Sequence, residues 1–81
     1  MYYVYIIQSI KFPKEHYVGF SEDLKTRIKD YNNGKSTHTN KFKPWELIFY
    51  TAFKGLQTAR EYETYLKRGS GRAFLKKHLI K

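Results

Sequence analysis

Residues 17–34 read YVGFSEDLKTRIKDYNNG, which joins a short strand, a tight turn and a charged amphipathic helix. Leu24, Arg27, Ile28 and Tyr31 recur at i, i+3, i+4 and i+7, the spacing that brings residues onto one helix face. Three of the four are apolar or amphipathic, and the fourth is an arginine. A guanidinium on a stripe that should meet the core is a local inconsistency of the kind that marks functional sites. Ser21 is a good N-cap, Glu22 and Asp23 fall where carboxylates favour the helix dipole, and Asn33-Gly34 offers a left-handed stop. These signals predict a helix over about 22–32.

Outward from this helix the chain alternates strands and helices. Tyr2 to Ser9 is a near-continuous aromatic and β-branched run, which suits a central strand covered on both faces. A polar segment with a proline, 11–15, then leads into a second strand over His16 to Phe20, so the two form a hairpin. Gly19, near the end of that strand, either relaxes the backbone for the turn or permits a close approach. Residues 35–44, KSTHTNKFKP, lack periodicity and predict an exposed basic loop suited to a phosphate backbone. Trp45 to Phe53 is the third strand. Thr58-Ala-Arg-Glu61 matches a capping box and opens a helix over about 59–68, with a stripe of Ala59, Tyr62, Glu63 and Leu66. A last helix over about 72–79, capped by Ser70, turns Phe74, Leu75, His78 and Leu79 inward and leaves Lys76, Lys77 and Lys81 outside.

The length of 81 residues allows one domain, 1–81, with a modest core. No cysteine is present, which removes disulfides and thiolate metal sites and fits a reducing, cytoplasmic setting. No apolar run approaches membrane-spanning length, and the N-terminus lacks the pattern of a signal peptide. Sixteen Lys and Arg against seven Asp and Glu give a formal charge of +9, which raises the expectation of a polyanionic partner, nucleic acid first.

Glu63 occupies an inward position on its helix as Arg27 does on the first. Two readings are open: a partly buried salt bridge between two helices on one sheet face, or a divalent cation on the glutamate with the arginine neutralising a phosphoryl group. Mg²⁺ often takes only one or two protein carboxylates and keeps its waters, so a lone glutamate can suffice. Tyr3, Tyr5 and Tyr17 on adjacent strands either pack or present hydroxyls to water and phosphate. The histidines, His16, His38 and His78, are scattered without ligand spacing.

Tyr3-Val4-Tyr5 and Tyr17-Val18-Gly19 resemble the paired motifs of the GIY-YIG nuclease family. The likeness continues through Leu24 and Arg27, Asn32-Asn-Gly34, Lys43-Pro-Trp45 and Glu63-Thr-Tyr-Leu-Lys67, so it spans nearly the whole chain and points to the small stand-alone branch related to the excision-repair nuclease subunit. It departs at Tyr3, where the family name has glycine, and at Tyr31, where many members carry histidine. A phenol is a poorer base than imidazole at pH 7, so the identity of the base stays open between Tyr5 and Tyr31.

The resemblance implies an α+β fold, a three-stranded antiparallel sheet flanked by helices, and a metal-dependent endonuclease acting on DNA, or RNA, in repair or recombination. By matching position, Tyr5 is the base or water-polarising group, Tyr17 a second hydroxyl at the water or phosphate, and Tyr31 a further catalytic position. Arg27 stabilises the pentavalent phosphate, and Glu63 holds Mg²⁺ or Mn²⁺. Lys35, Lys41, Lys43, Lys67 and Arg72 are the cations expected at the nucleic acid. A monomer is expected, with any target specificity supplied by a protein partner. The rival readings are a non-catalytic nucleic-acid-binding module on the same fold, and a protein-interaction adaptor.

Overall fold

Strand β1, Tyr2–Ser9, organises the molecule because both of its faces are apolar. Val4 and Ile6 point to one side with Ala59, Leu66 and Leu75, whereas Tyr5 and Ile7 point to the other with Tyr31 and Trp45. A strand apolar on both faces is stable only between two covering layers, and its flanks are closed as well. β2, His16–Ser21, and β3, Trp45–Phe53, pair with it antiparallel in the order β2-β1-β3, as expected from sequence. The computed structural model describes residues 1–35 and 37–80. Ser36 of the predicted loop and the outward placement of Lys81 lie outside the described residues.

Helix α1, Leu24–Asn32, covers the Tyr5 face, and α3, Leu56–Lys67, covers the Val4 face. The salt-bridge reading of Arg27 and Glu63 requires both on one face. They lie on opposite faces because β1 exposes a full apolar row on each side and each row takes one helix. The short α2, Thr37–Asn40, falls inside the predicted loop. Its Thr39 carbonyl accepts the indole N–H of Trp45 at 3.1 Å, and the Asn32 amide donates to the Trp45 carbonyl at 3.1 Å. A buried indole needs an acceptor, and satisfying it ties part of this basic segment down.

The caps differ from the sequence reading. Ser21 stays in β2, paired with Tyr3, so it cannot be the half-helical residue that a cap must be. Its hydroxyl instead accepts the Asp23 N–H at 2.9 Å, and Asp23 caps α1 by accepting the Thr26 N–H at 3.2 Å. The predicted left-handed stop is present, with Gly34 at φ 73°. The Thr58–Glu61 capping box does not form. The Gly55 carbonyl already accepts the Ala59 N–H, which places Thr58 within the first turn, and Glu61 lies exposed opposite Gln57.

The C-terminal helix starts earlier than predicted, as α4, Gly69–Phe74, with Ser70 inside it rather than capping it. It then widens into a π-helical segment, Leu75–Leu79, in which the Leu75 carbonyl accepts the Ile80 N–H. The five-residue step breaks the 3.6-residue phase on which the predicted stripe rested. Leu75 is buried and Leu79 half-buried, but Phe74 and His78 are exposed, with ring centroids 4.9 Å apart.

Candidate active site

Tyr5 lies on the central strand opposite Gly19 of β2, and its ring runs across that glycine. A Cβ at position 19 would overlap the Tyr5 ring and hydroxyl, so the glycine answers to a neighbouring side chain within the sheet and not to a turn. Laid over this gap, Tyr5 reaches α1, where its hydroxyl oxygen is 2.9 Å from that of Tyr31. Tyr31 in turn receives Tyr17 edge-on, with ring centroids 5.9 Å apart, and meets Trp45 on its other side. Tyr5 is 1% exposed and Tyr17 36%, so of the two strand tyrosines only Tyr17 reaches solvent freely.

The three tyrosines line a cleft of about 360 Å³ that straddles edge strand β2. Arg27, one turn before Tyr31, reaches it from one sheet face, and Glu63 reaches it from α3 on the other. Among the described residues no ion pair joins the two. Glu63 is engaged at each oxygen by its own helix, Oε2 by Lys67 at 3.0 Å and Oε1 by Arg60 at 3.8 Å. The inter-helix salt bridge read from the sequence is therefore replaced by i,i+4 and i,i+3 pairs, a shorter reach for the same carboxylate.

Burial pushes the Tyr5 hydroxyl well above the usual phenol range, and its hydrogen bond to Tyr31 pushes it further. Burial also raises Tyr31, but there the hydrogen bond from Tyr5 and the Arg27 guanidinium act in the opposite direction. Negative charge arising in the pair is thus better held on Tyr31, with Tyr5 as donor.

Tyr5, Tyr17, Arg27, Tyr31 and Glu63 all line this cleft. The five cations read from the sequence divide around it. Lys67 and Arg72 border an adjoining cleft beyond Tyr17, and Lys35 borders one beyond Arg27 and Tyr31. Lys41 lies farther along, with its ammonium 5.1 Å from the Phe42 ring centroid, and Lys43 precedes the cis Pro44 at the entry to β3. Tyr3 borders a different hollow, with Leu24, Ile28 and Tyr50. Two charged cleft residues escape the sequence reading. Arg60, whose guanidinium lies 4.2 Å from the Phe20 ring centroid, was legible as the i−3 partner of Glu63, whereas Glu22 was assigned to the helix dipole alone.

A divalent metal at this site must be judged by its donors. Among the described residues no three His, Cys, Asp or Glu side chains group together, so the donors do not suit a closed zinc site. One carboxylate at the cleft does suit Mg²⁺ or Mn²⁺ carrying its own waters. Glu63 has a side chain only 15% exposed, and the Lys67 and Arg60 side chains that hold it are 42% and 61% exposed, free enough to swing aside.

The family model of the GIY-YIG catalytic domain matches residues 1–77. The chain is similar to the UPF0213 protein YazA of Bacillus subtilis, with 38% identity over 53 residues, 64% of this chain and 54% of that protein. It is also similar to the UPF0213 protein SpyM3_1077 of Streptococcus pyogenes, with 28% identity over 72 residues, 88% of this chain and 76% of that protein. The chain thus spans about half the length of the first relative and three quarters of the second. No solved structure matches it significantly. Every residue from Tyr5 to Glu63 that lines the cleft falls within the matched span, and the chain belongs to the GIY-YIG nuclease family.

Proposed function

We propose that the protein is a metal-dependent endonuclease that hydrolyses phosphodiester bonds in DNA, acting in the cytoplasm in repair or recombination. What supports the reading is that two tyrosines from paired strands, Arg27 and Tyr31 from α1, and Glu63 from α3 line one cleft, although the two helices lie on opposite sheet faces. Binding alone would not need that convergence. Tyr17, the solvent-reaching hydroxyl, meets the attacking water or the scissile phosphate. Tyr31 can serve as base only after releasing its own proton to solvent through the cleft; the resulting phenolate, steadied by Arg27 and by the hydrogen bond from Tyr5, then accepts the proton of the attacking water, while Tyr5 orients it. Arg27 also faces the charge that builds on the phosphoryl oxygens in the transition state. Glu63 would hold the metal, which supplies Lewis-acid polarisation of the phosphate when bound.

Little sequence specificity is expected of a monomer. The molecule is 30 Å in its longest extent, shorter than one turn of B-DNA at about 34 Å. A partner protein would supply the target. A second reading, a nucleic-acid-binding module that does not cut, draws on the two cations already seated on Glu63. Plasmid nicking with Mg²⁺ or Mn²⁺ separates the two. Wild type should nick while Glu63→Ala and Arg27→Ala lose activity by about a hundredfold or more; equal nicking by all three would reject the site, and no nicking on any DNA or RNA form would favour the binding module.

A further inference from the structure

Among the residues that line the cleft gathering Tyr5, Arg27 and Glu63, the two guanidinium groups of Arg27 and Arg60 are offset by the two carboxylates of Glu22 and Glu63. A lining with so little net charge adds little attraction of its own for a polyanion, so the neighbouring cations matter more. Two smaller clefts flank it. The one beyond Arg27 and Tyr31, about 190 Å³, also contains Asp30 and Lys35, and the Lys35 ammonium is 3.4 Å from the Asp30 carboxylate. Its added cation is already matched.

The other flank differs. A cleft of about 210 Å³ between the start of β2 and the C-terminal helical turns is lined by His16, Tyr17, Lys67, Arg72 and Lys76, with no carboxylate among its lining residues. Lys67 is held by Glu63, but among the described residues Arg72 and Lys76 belong to no ion pair. Val18, Leu75 and Ile80 complete the lining with apolar surface, while Arg72 and Lys76 are exposed and available to a ligand. Tyr17 borders both this cleft and the candidate active site, and the Lys67 ammonium stands 5.7 Å from its ring centroid at the crossing. A chain that lies across Tyr17 therefore passes from one cleft into the other.

We propose that the His16–Arg72–Lys76 cleft is a second phosphate subsite, which grips the backbone of the nucleic-acid strand on the Tyr17 flank of the candidate active site and leaves the Lys35 flank loosely held. The assignment rests on the nuclease-family reading of the neighbouring cleft, from which its test can be kept apart. Arg72 supplies a planar fork that matches a phosphodiester bidentately, and Lys76 a mobile point charge. Burial lowers the pKa of His16, with Arg72 and Lys76 acting in the same direction against Glu15, so His16 lines the subsite while Arg72 and Lys76 carry its charge.

The test is binding of a fluorescein-labelled single-stranded DNA oligonucleotide in EDTA, followed by anisotropy across a NaCl series. Arg72→Ala with Lys76→Ala should weaken binding about tenfold and lower the slope of log Kd against log salt by roughly 1.4, about 0.7 for each phosphate of a single strand that is no longer neutralised. Lys35→Ala should change affinity less than about twofold, as exposed ion-pair members do. A double variant with the wild-type slope, or the larger loss from Lys35→Ala, overturns the subsite. Should the double variant fail to fold, titration of the wild-type protein with a DNA trinucleotide in an NMR experiment decides it. Shifts at His16, Arg72 and Lys76 support the subsite, and shifts confined to the Asp30–Lys35 side reject it. Because cutting plays no part, loss of nicking with this binding effect intact rejects only the nuclease reading, and nicking without the effect rejects only the subsite.

Discussion

The hydroxyl oxygens of Tyr5 and Tyr31 lie 2.9 Å apart across the interface between the central strand and α1, in surroundings that disfavour a charge on either. The pair satisfies two buried hydroxyls with one bond and leaves the acceptor side of Tyr31 toward Arg27 and the cleft.

This pairing predicts a loss of stability at alkaline pH. Unfolded phenols ionise near pH 10, whereas burial holds the protons on Tyr5, Tyr31 and, more weakly buried, Tyr62. Above about pH 10 the unfolded state binds fewer protons than the folded one, so stability is full below that pH and falls as pH rises toward the elevated values. Urea melts at pH 8, 10 and 11 should show the decline, and Tyr5→Phe should make it shallower. At pH 8 the same variant should cost about 1 kcal/mol for the missing hydrogen bond. An unchanged alkaline slope in Tyr5→Phe would reject Tyr5 as a source.

Gly19 and Tyr5 should behave as one unit. The Cβ of Gly19→Ala would occupy the space of the Tyr5 ring, so the variant should lose roughly 1–3 kcal/mol from forced displacement. In a Tyr5→Ala background that penalty should largely vanish, giving a coupling energy above about 0.5 kcal/mol in a double-mutant cycle by chemical denaturation. Additive effects would mean that the glycine is required for some other reason.

The same pair shows what could be read from the chain and what could not. The three strands were legible because each carries its own period-2 or doubly apolar signal, and β1 advertised its central place by being apolar on both faces. Arg27 and Glu63 were legible because each breaks an apolar stripe on its own helix. That they approach one cleft around an edge strand, from opposite sheet faces, depends on packing that no local pattern encodes. The misplaced caps have a local cause: Ser21 and Thr58 have the right chemistry, but the hydrogen bonding of β2 and of Gly55 decides which residue is free to cap. The π-helical turn at Leu75–Leu79 changes the phase of a sequence that reads as an ordinary amphipathic helix.

Asp23 should prove to be the cap of α1. Thr26 donates both its backbone N–H, at 3.2 Å, and its hydroxyl, at 2.8 Å, to that carboxylate, and these bonds hold its pKa below the usual value. The depressed value means a contribution present above the unfolded carboxylate pKa and lost as pH falls through the folded one. Asp23→Ala should lower Tm at pH 7 and make the variant's deficit shrink below about pH 4, whereas Asp23→Asn should retain most of the cap. A larger Tm loss from Ser21→Ala than from Asp23→Ala, with the deficit of the latter constant across pH, would return the cap to Ser21.

Lys67 should compete with metal at Glu63. Its ammonium sits 3.0 Å from Oε2, while Arg60 holds Oε1 at 3.8 Å, so a cation entering must displace at least the closer of the two. Removing that competitor with Lys67→Met keeps the aliphatic stem and frees one carboxylate oxygen. Because the Lys67 partner is largely exposed, the release is worth up to about 1 kcal/mol, or roughly fivefold in affinity. Mn²⁺ binding followed by electron paramagnetic resonance should therefore tighten several-fold in Lys67→Met and disappear in Glu63→Ala. Equal Mn²⁺ affinity in wild type, Lys67→Met and Glu63→Ala would mean that the ion binds elsewhere, and the carboxylate would then serve only to anchor the two cations of its own helix.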